Sequence, residues 1–428
     1  MVFAALPAYN ALSPEPACTK GRCIMPLIEP RHRPLFLVLF GIFTVFGTSM
    51  TVIGAALPEI LASFGWSYLV AGMVLGANAI AYFSFTFAGG HLIAIWGPRR
   101  VMVLGLGIAA AGLLFFAATP DPLTNILLFA LVGVGQGFIE ISVNWTTLRL
   151  DNAHTGRPMN LMHGAFALGA IAGPLALGLL LSAGFDWVAV YRGLAAIFAL
   201  LALVMLLVPM SVMAEARAEA AARSQAEPAA RLRTHPAYWL SFLALFLYVG
   251  VELGVSHWVA EYFTSVFAYP PSRSGLLVSL FWVGLLAGRF GVPLLYHGPR
   301  QDVMLVGSSL LATLSIAALS VLGFLPMGWW TLGTGLVLVF LAGLGCSVFY
   351  PVVISLLGKC FPQAQSQAIA FAATGGGIGA FLFPFLMSAL AEDWGIRVGF
   401  ATYALFGIVM TAAALGLALA AARPRAKK

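Results

Sequence analysis

The residues that could do chemistry sit where chemistry is least expected, inside apolar runs. Between Gly133 and Pro174 the chain reads GVGQGFIEISVNWTTLRLDNAHTGRPMNLMHGAFALGAIAGP, with Glu140 among residues that suit hydrocarbon. On a helix Gln136, Glu140 and Asn144 are four apart and form one polar stripe. An ionised carboxylate in a bilayer costs at least roughly 2.5 kcal/mol, so such a group faces a cavity or a partner. Glu140 is therefore the first candidate for a proton-coupling group. Gln136 and Asn144 are candidate solute contacts, although Asn144 could equally hold Glu140 in place. A second acid, Glu252, shares a stripe with Tyr248 and Ser256. It reads either as a second proton-coupling group on a cavity face or as a static hydrogen bond between helices.

Other side chains extend the candidate site. Tyr248, Trp258 and Trp282 could line a solute path, because aromatic faces stack on the C–H faces of a sugar ring. Arg289, within about two turns of a helix end, is expected to snorkel to the headgroups rather than bind an anion. Asn160 and His163 read as gating or packing groups, and His257 with Glu261 as a solvated ion pair at a mouth. Gly133 with Gly137, and Gly284 with Gly288, are small-xxx-small pairs that let helices approach closely. Gly375, Gly376 and Gly377 form a run expected to act as a hinge, with close packing as the alternative. Cys18 and Cys23 lack a second pair or a histidine cluster, so no metal or other cofactor is expected.

The elements that must position these groups follow from composition. Of 428 residues 61% are hydrophobic and 9% charged, with mean hydropathy +0.97, whereas a soluble domain carries about 25% charged residues. The pattern is that of a polytopic membrane protein. Twelve apolar spans are expected, roughly 34–58, 67–90, 100–119, 122–147, 160–184, 188–210, 237–262, 273–296, 302–324, 329–354, 364–391 and 396–421. A disordered N-terminal tail (1–33) precedes a six-helix unit (34–210), a central loop (211–236), a second six-helix unit (237–421) and a basic tail (422–428). Basic residues concentrate on the side of the two termini, which the positive-inside rule makes cytoplasmic. The net charge of +7 then reflects topology and anionic lipid rather than nucleic acid. No nucleophile-and-base constellation stands out, so no enzyme is expected.

An internal repeat divides the chain. Trp96-Gly97-Pro98-Arg99 with Val101-Met102-Val103-Leu104-Gly105 returns as His297-Gly298-Pro299-Arg300 with Val303-Met304-Leu305-Val306-Gly307. Gly169-Ala170 with Pro174 returns as Gly379-Ala380 with Pro384. Two parallel repeats of six helices place a substrate path at their interface. This arrangement resembles the major facilitator superfamily, an all-α membrane fold of twelve transmembrane helices in two pseudo-symmetric six-helix bundles. The Gly-Pro-Arg turns resemble its signature loop, which assigns Gly97, Arg99, Gly298 and Arg300 a gating or structural part. The acidic residue usual near that loop is replaced by Ala94, and by Leu295 in the second copy.

A narrower likeness is carried by three motifs. Glu140-Ile141-Ser142-Val143-Asn144, the stretch from Asn160 through His163 to Gly173-Pro174, and Tyr248-Val249-Gly250-Val251-Glu252 with Trp258 and Tyr262 resemble the fucose permease group. That resemblance implies a monomeric secondary transporter of the cell inner membrane that takes up a monosaccharide with protons, Glu140 being the proton site. The group's first-helix acid is missing, since Gly54 stands in its place. Glu252 is the available substitute. The alternative is proton-antiport efflux of an amphipathic metabolite or drug.

Overall fold

The computed structural model describes residues 18–19, 22–23, 28–151, 157–210, 232–295, 300–361 and 364–422. Most of the expected tails and central loop lie outside the described residues. Among those described, the strand pairing is the two-residue antiparallel ladder of Cys18–Thr19 with Arg22–Cys23. Everything else of consequence is helical.

Among the described residues, twelve helices are long and apolar enough to cross a bilayer. They are α1 (Arg33–Phe64), α2 (Tyr68–Trp96), α3 (Pro98–Phe115), α4 (Pro122–Leu150), α5 (Arg157–Ser182), α6 (Trp187–Leu207), α7 (Pro236–Phe267), α8 (Gly275–Leu295), α9 (Gln301–Leu322), α10 (Thr331–Cys360), α11 (Gln365–Trp394) and α12 (Ile396–Ala422). Their ends follow ordinary capping chemistry. The side chains of Ser67, Asp121 and Asp186 accept hydrogen bonds from the first turns of α2, α4 and α6. Outside the spans, the Thr124 hydroxyl and N–H hold the Asp121 carboxyl below the usual carboxylate range. Gly65 ends α1 in the left-handed conformation at φ 62°, which only glycine adopts without strain.

Two helices depart from the expected spans. α1 does not stop at Pro58 but runs through it to Phe64, as a transmembrane helix can when neighbours satisfy the freed backbone. α10 is broken at Ser347 and Val348, between segments Thr331–Cys346 and Phe349–Cys360. Such a break in lipid is tolerated only where protein or a cavity lines it.

Each half repeats the same packing. α1 lies on α5 and α2 on α4, with α3 and α6 outside them; α7 lies on α11, and α8 on α10, with α9 and α12 outside. Glycines set the equivalent crossings. A Cβ on Gly169 would overlap the Thr44 backbone, and one on Gly379 would overlap the Phe246 backbone, so both α1/α5 and α7/α11 touch main chain to main chain. Two-thirds (67%) of the apolar stretch of α7 is buried, against 28% for α6, which fixes α7 as a central helix and α6 as a lipid-facing one. Leu179, Leu207, Leu310 and Leu405 belong to an outward belt of exposed apolar side chains. In α3 and α6 the ends are tied by arginines. Arg99 donates to the Val208 carbonyl beyond α6, and Arg192 donates to the Leu113 and Phe116 carbonyls at the end of α3.

Across the halves α2 meets α11, α5 meets α8 and α1 meets α7, a set that the internal pseudo-twofold maps onto itself. The hydrogen bonds that join the halves gather at the distal end, opposite the start of α1. There Ser274 donates to Ala55 O at 2.7 Å, Ser279 to Ile171 O at 2.7 Å and Ser182 to Ser272 O at 3.3 Å. Toward the proximal end, inner-ring residues such as His163 and Tyr350 keep accessible surface although protein surrounds most of each side chain. The two halves therefore enclose a recess that is closed distally and open proximally.

Candidate functional site

Glycine spacing delivers the central contact of the first half. Gly133 and Gly137 on α4 face the Asn78 and Tyr82 backbones of α2, where any Cβ would overlap a carbonyl oxygen. The close approach carries the Tyr82 hydroxyl onto Glu140, to which it donates a hydrogen bond. Tyr82 is held by ring contacts to Phe46 and Phe83 at 6.2 and 4.7 Å. Glu140 is half-buried, with protein on most sides, and Tyr350 of the other half lies within its electrostatic reach. A carboxylate so placed has one fixed donor and an open side toward the recess.

Its stripe neighbours divide. Gln136 is fully buried and turned into its own half, accepting from Asn78 at 3.1 Å and donating to Ser49 at 3.0 Å. Those bonds tie α1, α2 and α4 together, so its place is structural rather than at the solute. Asn144 is half-buried, and its Oδ1 is buried without a hydrogen-bond partner. A buried amide oxygen left unpaired is a group waiting for a donor.

The second half supplies a charged counterpart. Glu252 sits midway along α7, buried, with the Tyr248 hydroxyl directed to its carboxylate. Tyr248 stacks on Phe349 at 4.8 Å and 6°. Arg289 faces Glu252 electrostatically. The expectation that Arg289 snorkels to headgroups is thus corrected: its Nε donates to Ser347 O at 3.4 Å, the carbonyl freed by the break in α10, and its field reaches His163 and Tyr350. It points inward toward mid-membrane.

At the distal end the aromatic candidates close the path. Trp258 is fully buried, edge-on to Tyr68 at 5.9 Å, with Nε1 unpartnered. Trp282 donates to Ser256 at 2.9 Å and meets Phe166 of the other half at 5.7 Å. Glu261 is buried, not a solvated member of an ion pair with His257; it accepts from Tyr68 at 3.2 Å and from Ser265. His257 leaves Nδ1 buried and unpartnered. Glu392 on α11 accepts from Leu69 N at 3.2 Å in the first turn of α2. Gly54, where the resemblance expects an acid, lies against Ser256 and His257 of α7, and its Cβ would overlap the Ser256 carbonyl oxygen.

The remaining candidates are placed as follows. Asn160 is exposed near the start of α5, and His163 is accessible from the recess, edge-on to Phe43 at 6.0 Å. Gly97 has φ 80° and turns the chain between α2 and α3, so that Arg99 reaches α6. Gly298 lies outside the described residues; Arg300 is exposed, 3.7 Å from Asp302. Gly375, Gly376 and Gly377 do not loosen α11, which is continuous from Gln365 to Trp394. They pack against Phe242, Val249 and Phe83 instead. Tyr82, Tyr350 and Arg289 complete a cluster that the motifs missed, although Asn78, Tyr82 and Thr86 form a four-apart polar stripe on α2 that pointed to it. No group of three or more metal-ligating side chains occurs among the described residues.

A family profile described as Major Facilitator Superfamily matches residues 38–335 and 280–428. The chain belongs to the major facilitator superfamily. An uncharacterized MFS-type transporter of Yersinia pestis is 23% identical over 382 residues, covering 87% of this chain and 93% of that one. Among solved structures, a single-residue mutant of the nucleoside transporter NupG superposes with TM-score 0.74 at 16% identity, over 90% of this chain and 99% of its own. A D-xylose-proton symporter superposes with TM-score 0.70 at 16% identity, over 90% and 96%. These likenesses carry the architecture. As a superfamily member the chain is a transporter and not an enzyme.

Proposed function

We propose that this transporter takes up a small polyhydroxylated solute of monosaccharide size together with protons, by alternating access, as the motif likeness to the fucose permease group implies. The observation that carries the reading is Glu140, an acid at depth with a single tyrosine donor, open to a recess that both halves line. A group that loses its charge on protonation changes the stability of a closed, dehydrated state relative to an open one, and only such a difference between states can couple a proton to a movement. Asn144, Tyr248 and Tyr350 supply hydrogen-bonding groups around the space where a hydroxylated solute would sit. Trp258 and Trp282 cap that space distally. Glu252, held beside Arg289, sets the field there rather than acting as the coupling acid.

The chain lies in the inner membrane with both termini cytoplasmic, as the basic residues suggest. The proximal opening is then cytoplasmic, and solute and proton leave from it. The test is Glu140→Gln in proteoliposomes. Exchange of internal for external solute should persist while accumulation driven by a pH gradient disappears. Accumulation at the wild-type level in that variant would remove the proton role, and interior alkalinisation on addition of solute would favour proton antiport instead.

A further inference from the structure

We infer that the solute carries an anionic group, a carboxylate on a sugar-sized polyhydroxy skeleton, and that Arg289 is the residue that binds it. This deepens the proton-coupled reading above and rests on it for the coupling, though not for the binding.

Three observations on the recess lead there. Arg289 is a permanent cation in a membrane span, and such a group is retained there for a partner. Among the described residues its one hydrogen bond is Nε to the Ser347 carbonyl at 3.4 Å, a long contact at the edge of hydrogen-bonding range. No ion pair within 4.0 Å joins it to Glu252, so that acid balances its charge at a distance without occupying the guanidinium fork. Among the described residues no hydrogen bond or ion pair occupies the terminal nitrogens, and the group that fits their planar pair of donors is a carboxylate or phosphate held in two parallel hydrogen bonds. The side chain is half-buried, bonded through Nε to the Ser347 carbonyl and within the electrostatic reach of His163 and Tyr350, which places it on the inner side of its helix.

The surroundings say what the rest of the ligand looks like. The Tyr248 hydroxyl, 1% exposed, is directed to the Glu252 carboxylate beside Arg289, and the Asn144 Oδ1 is unpaired on the facing half. A hydroxylated skeleton would give that oxygen a donor, whereas a simple fatty or aromatic acid would leave it orphaned. The charge balance also becomes coherent. Counting Arg289, Glu252 and an ionised Glu140, the recess holds a net −1, and an anion alone would raise it to −2. An anion entering with a proton on Glu140 leaves it at −1. Joint entry is therefore favoured over separate entry, and transport of a monovalent sugar acid with one proton moves no net charge.

The experiment uses the purified full-length chain with D-gluconate, D-glucuronate and D-galactonate against D-glucose and D-galactose. At least one acid should raise the melting temperature of the wild type where the neutral sugars do not. Arg289→Gln should abolish that shift, and Arg289→Lys, which keeps the charge but not the fork, should weaken binding by about tenfold. In proteoliposomes the acid's uptake should follow the pH gradient and ignore a potential imposed by potassium and valinomycin. A folded, monodisperse Arg289→Gln protein that binds the acid with wild-type affinity overturns the inference, as does a wild type that none of the three acids stabilises. Neutral-sugar uptake driven by protons with no acid bound also overturns it, and leaves the proton-coupled sugar reading standing. Acid binding that needs Arg289 but brings no proton with it upholds the anion site and removes that coupling reading.

Discussion

At the scale of single residues, the site is built from groups whose bonding capacity is incompletely used. Glu140 has one tyrosine donor and Asn144 an unpaired oxygen. Tyr82→Phe leaves the fold and the recess wall intact while removing the hydroxyl from Glu140. It should alter the pH dependence of uptake while leaving solute affinity within about twofold, since the hydrogen bond acts on the acid and not on the solute. Equal loss in affinity and no change in pH profile would place Tyr82 at the solute instead. Gln136→Ala is the contrasting case. Its bonds to Asn78 and Ser49 are buried, so it should destabilise the protein by about 1–3 kcal/mol in a melting experiment without a specific effect on coupling. Glu140 was legible in the sequence because an acid in an apolar run has few uses. Gln136 was misplaced because a four-residue stripe spans roughly 40° of helix face per step, enough to turn one end of it into a neighbouring helix.

Among helices, the sequence announced the packing more clearly than the chemistry. Gly133 with Gly137 and Gly284 with Gly288 each mark a real close approach, the first pair against α2 and the second against α10. Gly169 and Gly379 occupy corresponding crossings in the two halves, so that repeat marks the same main-chain contact twice. Gly169→Val should force α1 and α5 apart and lower stability by about 1–3 kcal/mol, read as a drop in melting temperature; Gly164→Val, with open space around it, should not. The break in α10 has a cause in the sequence that the motifs passed over: Pro351 has no N–H to give the Ser347 carbonyl four residues earlier and its ring crowds that oxygen, so the ladder opens there. The Ser347 carbonyl so freed accepts from the Arg289 Nε. The glycines of α11 made the opposite impression, because composition alone cannot separate a helix that bends from one that is tightly packed.

For the whole molecule, the closed distal end decides what moves. Tyr68 with Glu261, and Leu69 with Glu392, join the halves at the rim, while Gly54 lets α1 and α7 cross below it. Glu392→Gln combined with Tyr68→Phe should shift the population toward distal opening, measurable as a longer distance between spin labels at Thr119 and Pro326. Gly54→Asp should produce a larger shift, because a side chain at that crossing has nowhere to go while the end is shut. An unchanged distance in both variants would mean that the distal contacts do not hold the closed state. Three of the bonds that seal this end, from Ser182, Ser274 and Ser279, are accepted by main-chain oxygens of Ser272, Ala55 and Ile171. Every residue type presents that oxygen, so substitution drift at the accepting positions leaves each bond in place. The seal can thus persist through relatives whose facing side chains show no correlated change, and its partners are invisible to any search for co-varying pairs.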